Sequence, residues 1–302
     1  MPAFHRTVPT PLGVATLLAL LMCSAHHAVA QPHPYQMTET LEQPLLFAPG
    51  IVSTDAIEYG PTFSPDGRTL YFTRRASWRD TPALYVSHFE GGAWQKPTVL
   101  PFSGQYSDEY PSFDGNRLYF ASKRPIDDSG ERSHNDLWVV ERTEGGWGTP
   151  QHLPPPVNSD GIDSHPHTTE KGELYFHSNR TGGPGGVDIY RAELVDGHYT
   201  EPMVMPFNSE ATDGEAILDP QERFIIFYSE REGTKGNGDL FIVYKEDGAW
   251  SSVANLGATI NTADYEWTPA LSPDGRYLFY AHLAGNDSDL YQVELSRLLN
   301  QP

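Results

Sequence analysis

The stretch Pro61-Thr62-Phe63-Ser64-Pro65-Asp66-Gly67-Arg68-Thr69-Leu70-Tyr71-Phe72-Thr73 sets two short apolar and β-branched runs around a Ser-Pro-Asp-Gly turn. Pro presets φ for the turn, Asp bonds the local backbone and Gly takes the left-handed conformation that closes it. Such a segment reads as a β-hairpin. Beyond it, Leu84-Tyr85-Val86-Ser87 supplies a third strand. The turn Gly91-Gly92 follows, and Pro97-Thr98-Val99-Leu100 supplies a fourth.

The same order of signals recurs along the chain. Tyr71-Phe72 is echoed by Tyr119-Phe120, Tyr175-Phe176, Ile226-Phe227 and Phe279-Tyr280. The third-strand Leu or Ile falls at 84, 137, 189, 240 and 290, in steps of 53, 52, 51 and 50 residues. Turn aromatics recur at Trp94, Trp147, Tyr199 and Trp250. Four short strands per unit of about fifty residues is the arithmetic of a β-propeller blade. The last copy, Tyr265 to Leu298, lacks a fourth strand, and Gln43-Pro44-Leu45-Leu46-Phe47 resembles the missing piece. The expectation is therefore an all-β, five-bladed propeller of four-stranded blades closed by its N-terminal strand, with six blades as the alternative. Closure would remove the free sheet edges that invite aggregation.

The first thirty residues carry one charge, Arg6, then an apolar run from Leu12 to Met22 that ends at Ala28-Val29-Ala30. This pattern is that of a secretory signal peptide, too short to remain as a membrane span. Cys23 would suit a lipoprotein, but Met22 is too large for the position before a lipidated Cys. The domain reading is a leader at 1–30, a flexible segment at 31–42 and a propeller at 43–302, with the mature protein periplasmic or secreted. The whole chain has 20 Lys+Arg, 40 Asp+Glu and one Cys, and a net charge of −20. Loss of Arg6 with the leader makes that −21, and the only Cys goes too. The core must then hold without disulfides. Such acidity argues against nucleic acid and anionic lipid as partners. No transmembrane anchor is expected, and a monomer is.

Phe63-Ser64-Pro65-Asp66-Gly67-Arg68 and Leu271-Ser272-Pro273-Asp274-Gly275-Arg276 resemble the PD40 (WD40-like, TolB-type) propeller repeat. The runs Phe120-Ala121-Ser122-Lys123-Arg124, Phe176-His177-Ser178-Asn179-Arg180 and Gly182-Gly183-Pro184-Gly185-Gly186-Val187-Asp188-Ile189-Tyr190 resemble it as well. The resemblance covers about residues 43–298. It implies the fold strongly and function weakly, since the family includes periplasmic scaffolds, propeller modules of peptidoglycan-binding proteins and a few enzymes. The extra N-terminal domain of TolB and a peptidoglycan-binding domain have no counterpart here, so their partners do not carry over.

Acids recur where each fourth strand leads into the next inner strand: Asp55 and Glu58, Asp108 and Glu109, Asp160 and Asp163, Asp213 and Glu215, Asp264 and Glu266. On a ring these ten would surround one channel mouth and recruit a cation, with Ca the metal suited to oxygen ligands. The competing reading is local turn capping. In the third copy, Ser164-His165-Pro166-His167-Thr168 replaces the usual inner strand. Residues i and i+2 of a strand share a face, so His165 and His167, joined by His177, could hold Zn, Mn or Fe(II). Against this stands a simple polar lining of a wet channel. The Ser-x-Arg arginines Arg124, Arg180 and Arg231 suit structural ion pairs. Trp267, entering an inner strand beside Glu266, could stack a ligand. No nucleophile elbow, P-loop or dinucleotide fingerprint is present. The expected function is an exported, non-catalytic scaffold for a protein or glycan of the cell envelope. The alternative is a metal-dependent carbohydrate lyase or hydrolase with a His/acid site at the channel.

Overall fold

The computed structural model describes residues 34–35, 43–127 and 130–299. The leader at 1–30 and most of 31–42 lie outside the described residues. The described residues form an all-β propeller apart from one helical turn, Ser296–Leu299.

Each unit is an antiparallel meander that begins with an inner strand and ends with a short outer one. The first comprises Ile57–Phe63, Thr69–Arg75, Ala83–Glu90 and Thr98–Val99. The second comprises Asp108–Phe113, Arg117–Ser122, Asp136–Thr143 and Gln151–His152. The third runs through Asp163–Thr168, Leu174–Ser178, Asp188–Ala192 and Met203–Val204. The fourth runs through Asp213–Leu218, Phe224–Ser229, Asp239–Glu246 and Ala254–Asn255. Tyr265–Leu271, Tyr277–Ala284 and Asp287–Glu294 form the fifth, and Leu45–Leu46 is its outer strand. Leu45 pairs with Gln292 and Leu46 with Tyr291, so the two ends of the ring are joined as the sequence suggested. Each inner strand touches the inner strands of the units before and after it, and Ile57–Phe63 touches Tyr265–Leu271 to complete the circle.

The recurring aromatic pair follows from this arrangement. Successive strand residues point to opposite faces, and here both faces are covered by neighbouring sheets. Tyr71 enters the core shared with the second unit, while Phe72 enters the core shared with the fifth. Tyr119 and Phe120, Tyr175 and Phe176, Ile226 and Phe227, and Phe279 and Tyr280 divide the same way between successive interfaces. Five apolar clusters therefore sit between units, not within them.

Part of the segment 31–42 joins the closure. Tyr35 is buried against Phe63, Tyr277 and Phe279, with edge-on ring contacts of 5.7–6.4 Å. Trp94 Nε1 donates to the Pro34 carbonyl. Phe47 packs on Phe279 at 5.1 Å and donates its backbone N–H to Leu290. Among the described residues no helix is long and apolar enough to cross a membrane.

Candidate functional site

The ten acids do not form one layer. Glu58, Asp108, Asp163, Asp213 and Glu266 occupy equivalent positions at the start of the inner strands, and all five are fully buried. Each accepts hydrogen bonds from a Ser or Thr a few residues earlier: Thr54, Ser103, Ser159, Ser209 and Thr262. Arg124, Arg180 and Arg231 donate to Asp108, Asp163 and Asp213 at 2.6 Å. In the first and fifth units a longer Glu meets Arg74 at 2.7 Å and His282 at 3.6 Å. These acids anchor each inner strand to its own sheet and to the incoming loop, and their oxygens are already occupied. Asp55 and Asp160 stand exposed in loops. Asp264 lies 3.8 Å from His282. Glu109 accepts from the Tyr59 hydroxyl at 2.8 Å and from Asn135 at 3.2 Å. Glu215 alone of the ten lines the large axial cavity.

That cavity arises from a backbone device repeated in every inner strand. Pairing with the second strand slips between Tyr59 and Thr62, Glu109 and Ser112, Ser164 and His167, Gly214 and Ile217, and Trp267 and Ala270. Each slip is a β-bulge. In each, one residue takes positive φ: Gly60 (60°), Tyr110 (56°), His165 (49°), Glu215 (58°) and Thr268 (46°). Non-glycine residues rarely adopt this conformation, and it persists where surroundings over-determine it. Here the five residues hold one another around the axis. Thr268 Oγ1 accepts from Gly60 N at 3.0 Å, and Thr268 N donates to Glu215 at 2.6 Å. Glu215 Oε1 stands 3.4 Å from His165 Nε2, and His165 stacks on Tyr110 with ring centroids 3.4 Å apart. Tyr110 N in turn donates to Thr73.

Beyond this girdle, towards the inner hairpin turns, opens a cavity of about 660 Å3. Its walls include Pro61, Phe63, Pro111, Phe113, Pro166 and Pro269, and its apex is Tyr110, His165, Glu215 and Thr268. His165 is only 8% exposed, and neither ring nitrogen has a hydrogen-bond partner. Thr168 Oγ1, in the wall, is likewise buried and unpartnered. Burial holds the imidazole of His165 well below the usual histidine range, with nearby His177 adding to the effect. Burial also lowers His167 and His177 to about 4 and lifts Glu215 to about 8, against the opposing bond from Thr268 N. At neutral pH the apex is therefore an uncharged carboxyl beside uncharged imidazoles.

The bulge also decides the histidines. His165 and His167 straddle the slip, so simple alternation does not relate them, although both line the cavity. His177 is not a lining residue. Its ring lies 4.7 Å from that of His165 and fills the space where a Cβ on Gly214 would stand 2.6 Å from Nδ1. His167 is bonded to the Leu218 backbone. Among the described residues no three His, Cys, Asp or Glu side chains are grouped to hold a metal ion. With His167 tied to backbone and His177 outside the lining, the three are not gathered as a Zn or Mn ligand set. Trp267 is already stacked on Tyr59 at 4.8 Å, with Trp78 at 6.2 Å and Arg75 over Trp78, so its faces have protein partners.

No family model and no curated protein matches this chain in sequence. Solved structures similar to it share the propeller fold. A thermostable family-43 glycoside hydrolase is 12% identical over 80% of this chain and 91% of that chain, with a TM-score of 0.52. A family 117 glycoside hydrolase from the marine bacterium Zobellia galactanivorans is 14% identical over 84% and 91%, with a TM-score of 0.51. A putative TolB from Agrobacterium tumefaciens is 18% identical over 81% and 79%, at 0.49.

Proposed function

We propose that this chain is a non-catalytic β-propeller, exported to the periplasm or beyond, that binds a protein or glycan of the cell envelope through the axial cavity at its inner-hairpin end. The observation that carries this reading is the cavity itself: apolar walls and a few convergent polar groups are the usual make-up of a ligand site. A rigid ring of anchored inner strands holds it. Glycoside hydrolysis commonly needs two cooperating carboxyl groups across one bond. Among the lining carboxylates, Asp114, Asp219 and Glu222 are engaged by Arg117, Arg223 and two lysines. Glu215 sits at the buried apex and Glu170 at the exposed rim. That set suits recognition better than acid–base work.

The test is capture from the native envelope fraction. The wild type is expected to retain a partner, and Glu170→Trp, which narrows the entrance without touching a bonded residue, is expected to lose it at unchanged melting temperature. Equal capture by Glu170→Trp would move the binding surface elsewhere. The alternative, a metal-dependent carbohydrate lyase or hydrolase, predicts a stoichiometric transition metal in protein purified without chelator. It also predicts that the metal is lost in His165→Ala and His167→Ala.

A further inference from the structure

The cavity has a sign as well as a shape. Five carboxyl side chains line it against two cationic ones, Arg117 and Lys171, and both of these are already paired with lining acids. The whole chain carries −20, so the field at a low-dielectric mouth favours positively charged ligands. At the apex, Glu215 is 9% exposed and has Thr268 N as a donor, with no Lys or Arg ion pair formed to it among the described residues. The side chains around it are Tyr110, His165 and His177 from the second and third units and Tyr228 and Glu230 from its own. None brings a positive charge at neutral pH. The His165 ring nitrogens beside it are buried and unpartnered. Half-buried Phe113 adds apolar surface to the wall alongside the four prolines, whereas the Phe63 ring is packed in the core between the first and fifth units.

We propose that the cavity binds an organic ammonium, its charged nitrogen seated between Glu215 and His165 and its apolar body lying against Phe113 and the prolines. The ammonium N–H groups donate to Glu215 Oε1 and to a His165 ring nitrogen, supplying the partners that the protein leaves unmade. An anion would meet an excess of carboxylates, and a neutral isostere would leave Glu215 protonated and gain no charge pairing from it. Because Glu215 is protonated in the free protein, seating the cation releases that proton to solvent, and binding strengthens as pH approaches the range where Glu215 ionises.

This inference rests on the cavity's being the binding site but not on the identity of the envelope partner. Its test uses the full mature chain with benzylammonium, benzyl alcohol and benzoate as probes in titration calorimetry. Benzylammonium is expected to bind at least about tenfold more tightly than either isostere at about pH 8, with proton release seen as a buffer-dependent heat. Its affinity should fall by up to about tenfold on lowering the pH by one unit. Glu215→Gln, which mimics the protonated carboxyl and keeps an acceptor for Thr268 N, is expected to abolish the preference over benzyl alcohol. Benzyl alcohol binding as well as the ammonium, an ammonium affinity independent of pH, or no ammonium binding at millimolar concentration would each overturn the proposal. Failure here with partner capture still sensitive to Glu170→Trp would leave the cavity as the binding site and discard the cation.

Discussion

Glu215 concentrates the chemistry of the molecule at one residue. Its carboxyl keeps a proton up to about pH 8 in the folded chain, whereas in the unfolded chain it loses that proton near its ordinary value of 4.5. Between those limits the native state binds the extra proton, so stability falls as pH rises, by up to about 1.4 kcal/mol per unit. Glu215→Gln removes this slope. The melting temperature of the variant is expected to gain on that of the wild type from about pH 4.5 to about pH 8 and to run parallel above it. His167 and His177 act in the opposite sense: held near pH 4 in the fold, they withhold protons that the unfolded chain takes up below 6.5, so their contribution is lost as pH falls from 6.5 towards 4. Asp213 illustrates the other class of acid. Removing it in Asp213→Ala strands Arg231, Ser209 and Ser229 in a buried site, with an expected loss of about 3 kcal/mol in denaturant unfolding.

Single elements show what the sequence made legible and what it hid. The aromatic pairs and the Leu or Ile of each third strand exposed the repeat because both faces of every blade are buried, and the pattern survives in all five copies. The closing strand was legible because the last copy lacked a fourth strand and residues 43–47 resembled one. Strand alternation fails where the chain bulges, so the i, i+2 rule does not relate His165 to His167. The acids separate because the strand-start members are buried as anchors while Asp55 and Asp160 stay exposed in loops. A signal for the bulge was present: Pro61, Pro111, Pro166 and Pro269 recur at one position of the inner strand. Proline cannot donate to the ladder and within sheets marks an edge or a bulge. Only the fourth unit, with Ala216, hides it. The closing element is testable. Phe47→Ala, at a fully buried position between Phe63, Trp94 and Phe279, is expected to lower stability by about 3–5 kcal/mol in denaturant unfolding.

At the scale of the whole molecule, the five buried acids act as internal anchors, and the cavity end holds two side chains, His165 and Thr168, with buried polar atoms left unpartnered. Calcium is therefore expected to leave the melting temperature unchanged, since the anchor oxygens are engaged by Ser, Thr, Arg and His. The central claim is that the inner-hairpin end of the ring is the binding face. Hydrogen exchange of the mature chain with and without its captured partner tests it most directly. The account predicts new protection at the inner-hairpin turns, residues 64–68, 114–117, 169–172, 219–223 and 272–276. Protection confined to the opposite end, around Asp55, Asp160 and Asp264, or to the outer strands would contradict it.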